Sequence, residues 1–124
     1  GRAMMPELFD ELRTNPTRAL QCYQILISLA HERKTATYGM IANIIGFGGS
    51  TPLARILGHI MYWCTENDLP PLTVLIVNQE TGLPGDGLSE ANDFNADREK
   101  VFNYDWFGLV PPTPKQLEKA FKEG

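Results

Sequence analysis

Thr37-Tyr38-Gly39-Met40-Ile41-Ala42, a Gly/Ser-rich break at Gly46-Phe47-Gly48-Gly49-Ser50, then Leu53-Ala54-Arg55-Ile56-Leu57-Gly58-His59: the reading of the fold turns on this stretch. It predicts two short helices joined by a tight turn. The second carries a lone Arg on an otherwise apolar or neutral run, the way a helix-turn-helix offers one side chain to a nucleic acid. From Arg33 to Trp63 there are three cationic residues (Arg33, Lys34, Arg55), one His and no Asp or Glu, in a chain whose net charge is -4. That gap in the acids marks a surface able to face a polyanion.

Working outward, Thr35 or Thr37 is the expected N-cap of a helix through Ile45, and the glycines from Gly46 stop it. Ser50 or Thr51 caps the following helix with Pro52 in its first turn, where a missing N–H costs nothing. Leu53, Ile56, Leu57, Ile60 and Met61 form its buried stripe, with Trp63 and Cys64 near its end, while Arg55 and His59, four apart, share another face. Upstream, Pro6 to Arg13 reads as a short amphipathic helix. Arg18 to about Glu32, with Leu20, Tyr23, Ile27 and Ala30 on one face, reads as the central helix.

Downstream, Leu72-Thr73-Val74-Leu75-Ile76-Val77 is apolar, β-branched and bounded by turn formers, which predicts a strand. A glycine-containing loop from Asn78 to Gly87 follows as a wing. The last third turns acidic, with nine Asp/Glu against five Lys/Arg from Glu80 onward. It carries a helix from about Asn95 to Asp105, a Pro111-Pro112-Thr113-Pro114 break, and a terminal helix over Lys115 to Lys122. The expected fold class is mainly α with a small β element: one winged helix-turn-helix-like domain over residues 5–124 with a C-terminal helical extension. Gly1-Arg2-Ala3-Met4 reads as a cloning remnant.

Composition bounds the function. At 124 residues, with 43% hydrophobic and 21% charged residues, the chain is ordinary globular material for one core. No apolar run approaches the ~18 residues of a membrane helix and no leader pattern opens the chain, so a cytoplasmic protein with no membrane partner is expected. Cys22 and Cys64 have no metal-ligand spacing and read as buried thiols, which predicts no metal site and no cofactor. The acidic balance excludes coating nucleic acid through charge alone. Asp97, Glu99 and Asp105 read as a solvated face, and no nucleophile elbow, phosphate loop or dinucleotide fingerprint is present, so no enzyme is expected.

Residues 17 to 88 resemble a known family. Thr37-Tyr38, the Ile41-Ala42 that follows, Gly46, then Ala54-Arg55-Ile56-Leu57-Gly58, a Pro-Leu lead into a strand and a glycine-containing wing are similar to the DNA-binding domain of alkylguanine-DNA alkyltransferases and the related alkyltransferase-like proteins. The resemblance implies that Arg55 enters the base stack as a wedge and that Tyr38 crowds the phosphate of a flipped nucleotide. The reactive Pro-Cys-His-Arg motif is replaced here by Thr73-Val74-Leu75-Ile76, with Val74 at the cysteine. Without a thiolate or neighbouring imidazole there is no alkyl acceptor, so alkyl transfer is not expected.

The expected function is therefore non-enzymatic binding of double-stranded DNA. The DNA-binding residues are Lys34, Thr37, Tyr38, Ser50, Thr51, Arg55 and His59, with Arg55 leading. The alternative is a protein-interaction module (immunity, phage-encoded or regulatory) that reuses the helix-turn-helix shape. Its motivation is the aromatic set Phe102, Tyr104, Trp106 and Phe107 in the acidic third.

Overall fold

The computed structural model describes residues 15–46, 53–80 and 94–123. Pro6–Arg13, the caps Ser50 and Thr51, and the wing glycines from Gly82 to Gly87 lie outside the described residues. Helix α1 spans Asn15–Glu32, with Pro16 in its first turn and Ala19, Cys22, Tyr23, Leu26, Ile27 and Ala30 buried along one stripe. That three-and-four spacing makes α1 the axis on which the other elements pack. It ends with Arg33 in the left-handed region (φ 58°) while the N–H of Lys34 bonds back to the Leu29 carbonyl at 2.9 Å.

Strand β1 (Ala36–Thr37) leads directly into α2 (Tyr38–Ile45). Thr37 is its N-cap: in extended geometry, its Oγ1 accepts from the N–H of Met40 at 3.2 Å. Gly46 closes the helix at φ 86°, a conformation a β-carbon disfavours. Thr37→Ala removes the cap and is expected to lower stability by about 1 kcal/mol in urea titration, with Thr37→Ser retaining most of it. Helix α3 (Leu53–Glu66) buries Leu53, Ile56, Leu57, Ile60, Trp63 and Cys64. Met61, expected in that stripe, is instead 44% exposed, because four residues past Leu57 the helix has turned it beyond the edge of the buried face.

The expected strand over residues 72–77 is corrected. Leu72–Leu75 is a 3₁₀ turn, its Val74 N–H bonded to the Pro71 carbonyl at 3.0 Å, and only Ile76–Val77 is extended, as β2. Leu72, Val74, Leu75, Ile76 and Val77 are all buried, so the run lacks the alternation that marks a half-buried strand. Strand β2 pairs in parallel with β1, with Ala36 opposite Ile76 and Thr37 opposite Val77. The described residues thus form a mainly helical protein with a small two-stranded parallel sheet.

Helix α4 (Phe94–Asn103) buries Val101, a second 3₁₀ turn (Trp106–Gly108) buries Trp106, and α5 (Pro114–Glu123) buries Leu117 and Ala120. Thr113 and Gln116 start α5 reciprocally: Thr113 Oγ1 accepts from the Gln116 N–H at 3.1 Å, and Gln116 Oε1 accepts from the Thr113 N–H at 2.9 Å. Helix α5 packs on both α3 and α1, and its contact with α3 is the most extensive between helices. Among the described residues no helix is long and apolar enough to cross a membrane.

Candidate nucleic-acid interface

Arg55 lies in the first turn of α3 with its side chain exposed, and no carboxylate pairs with it among the described residues. Its guanidinium carbon sits 5.8 Å from the centre of the Phe121 ring on α5, within reach of a cation–π attraction. Phe121 reaches that place because Gly58 has no side chain. A β-carbon there would stand 2.9 Å from Phe121 Cε1, so the ring edge would have to shift from this place against α3.

The same ring takes His59 out of the expected DNA-binding set. His59 is 2% exposed, stacked on Phe121 at 4.2 Å between centroids and 5° between planes. Its Nδ1 lies 2.8 Å from the Arg55 carbonyl. A carbonyl can only accept, so Nδ1 carries the proton. Covered on one face and tied to its own helix, the imidazole is part of the α3–α5 contact and has no path to a phosphate.

Lys34, Thr37 and Tyr38 form a second group around β1 and the start of α2. Lys34 is exposed; Thr37 is half-buried with its oxygen committed to the cap; Tyr38 is half-buried against the core. Helix α2 reaches the rest of the molecule mainly through α1 and β1, so this group and Arg55 stand on separate supports. The positive patch is also smaller than its sequence. Arg33 is held by Glu99 of α4 through two bonds of 2.8 and 2.9 Å, with the Phe102 ring 4.8 Å beneath it. Asn103 Oδ1 accepts a longer bond from Arg33 at 3.5 Å. One nitrogen of this exposed guanidinium meets both oxygens of the Glu99 carboxylate, so its charge is partly answered, whereas Lys34 and Arg55 have no carboxylate partner among the described residues.

The thiols offer no nucleophile. Cys22 and Cys64 are unbridged and buried. Burial pushes Cys22 up to about 12 and Cys64 up to about 11 from an ordinary 9.0, the latter against a backbone hydrogen bond from Leu72 that lowers it. Both stay protonated at neutral pH. Val74 is buried at 5% exposure within the 3₁₀ turn. Among the described residues, no three His, Cys, Asp or Glu gather where a metal ion could sit.

An open groove of about 840 Å³ runs between α1 and the end of α2. Ile25, Leu29, Ile44 and Ile45 wall it, and Gln24, Ser28, Glu32 and Lys34 edge it. Ile44 is 60% exposed there. Sequence reasoning missed Phe121 as the partner of Arg55; the available signal was Gly58, a glycine inside a helical pattern, which often marks close packing. Compared with known proteins, the chain matches no family model, no curated protein and no solved structure.

Proposed function

We propose that this chain is a non-enzymatic DNA-binding domain of the alkyltransferase-like winged-helix type, in which Arg55 of α3 leads onto duplex DNA. The observation that carries the reading is the exposed guanidinium of Arg55 at the start of α3, with no carboxylate partner among the described residues, in a stretch from Arg33 to Trp63 that holds no Asp or Glu. Lys34 supplies a second phosphate contact, and Ser50 and Thr51 complete the expected set.

With Arg33 paired to Glu99, the number of phosphates met is about two, so the logarithm of affinity is expected to fall with the logarithm of salt at a slope near -2. Arg55→Ala is expected to weaken binding to a labelled 20-base-pair duplex by roughly 5–30-fold and to reduce that slope by about 1 in fluorescence anisotropy. Arg33→Ala, at a charge Glu99 already answers in part, is expected to change affinity less than twofold. Equal effects of the two substitutions would sink the reading.

A protein-interaction module is the second reading, favoured by the groove between α1 and α2 with its exposed Ile44. Under it, Ile44→Asp is expected to abolish co-purification of a discrete partner without altering DNA affinity.

A further inference from the structure

We propose that Phe121 is a positioning residue that holds Arg55 as an in-plane clamp for a nucleic-acid phosphate, and not as a wedge between bases. The inference rests on the DNA-binding reading and deepens it by naming what Arg55 contacts. A guanidinium presents two kinds of surface: flat faces that stack on aromatic rings and, in its plane, N–H donors that match phosphate oxygens. With its carbon 5.8 Å from the Phe121 centroid, Arg55 lies over α5. The contact sets the cation over the ring, and the exposed guanidinium keeps N–H donors that an anion can take up.

The ring is itself fixed. His59 stacks flat on it at 4.2 Å, Tyr62 meets it at 6.1 Å and a 60° tilt, and Gly58 seats its edge. Three residues of α3 therefore set the position of one ring of α5, and that ring limits where Arg55 can go. Insertion between base pairs needs the side chain extended away from its own helix, which forfeits the ring contact. A phosphate lying across the α3–α5 seam is reached without leaving it.

The test is a double-mutant cycle with a labelled 20-base-pair duplex that contains 2-aminopurine at its centre. Arg55→Ala is expected to weaken binding by roughly 5–30-fold and to lower the salt slope by about 1. Phe121→Leu is expected to weaken binding by about two- to fivefold with Arg55 present, the fold-change equivalent of an exposed cation–π contact. In the Arg55→Ala background it is expected to do nothing, and Phe121→Tyr should restore wild-type affinity. 2-Aminopurine emission should stay at its free-duplex level on binding.

If Arg55→Ala has no effect, the DNA-binding reading itself fails. If Arg55→Ala weakens binding but Phe121→Leu acts equally in both backgrounds, Phe121 is only structural and the inference fails alone. A rise in 2-aminopurine emission, the sign of an unstacked base, overturns the clamp in favour of a wedge. Should Phe121→Leu not fold, Phe121→Met, nearly equal in volume and without a π face, takes its place in the same cycle.

Discussion

Raising the pH from 8 to 10.5 is expected to cost the folded state about 4 kcal/mol through its two thiols alone, most of the stability of a domain near the lower end of the ordinary range. Cys22 and Cys64 are shifted upward by burial, to about 12 and about 11 from 9.0. Below pH 9 both thiols are protonated in the folded and unfolded chains, and the shift has no effect on stability. Above pH 9 the unfolded chain releases protons that the folded core still holds. Stability then falls by about 1.4 kcal/mol per pH unit for each thiol, until the folded values are reached near 11 and 12.

Tyr23 adds to the loss above pH 10. Burial pushes it up to about 12, with Cys64 and Tyr104 contributing, and its hydroxyl makes no hydrogen bond. Urea titrations at pH 8 and 10.5 measure the drop. In the Cys22→Ala/Cys64→Ala variant the difference between the two pH values should shrink by about 4 kcal/mol, whatever constant penalty the lost sulfur volume imposes. An undiminished drop would place the cause elsewhere. Tyr23→Phe, which deletes a buried unpartnered hydroxyl, should hold or raise stability at both pH values.

The parts of the fold that were legible in the sequence are those whose cause is local. Helices α1 and α3 announce themselves through Tyr23-Ile27-Ala30 and Leu53-Ile56-Leu57-Ile60, because one buried stripe at helical spacing needs no knowledge of what covers it, although Leu20, expected on the same face of α1, is only partly buried. Thr37 and Gly46 were readable as the ends of α2 because a cap is settled within four residues. Leu72 to Val77 was not, since a run buried throughout carries no period to separate strand from 3₁₀ turn. The pairing of β1 with β2 joins two-residue segments far apart in the chain, too short for any pattern.

The site divides the same way. Arg55 stood out by composition, but the fates of Arg33 and His59 were decided by Glu99 and Phe121, more than sixty positions away. Charge counted along the chain overstates a patch whenever a distant carboxylate folds onto it. A histidine four residues from an arginine shares a helix face with it only until another helix covers that face.

Trp106→Ala is expected to be the most damaging substitution in the C-terminal third, at about 3–5 kcal/mol. Trp106 is 2% exposed, its Nε1–H donates to the Val101 carbonyl at 2.8 Å, and Tyr104 lies against it at 4.7 Å between centroids. Truncation opens a ring-sized cavity beneath α4 and strips a buried carbonyl of a partner at the point where the chain leaves that helix. Phe107, its neighbour, is 61% exposed and meets only the edge of His31, at 5.7 Å. Phe107→Ala should therefore cost less than 1 kcal/mol. Trp106→Phe separates the two contributions: it keeps most of the ring and loses the donor, so a cost near 1–2 kcal/mol is expected. Urea titration of the three variants decides the role of the aromatic set. Were Phe107→Ala as damaging as Trp106→Ala, the exposed ring would have to be covered in solution, and the C-terminal third would regain its claim as a docking surface. With the expected order, Trp106 belongs to the core that fastens α4 to α1, and Tyr104, Phe107 and the 83% exposed Val110 stay outside it.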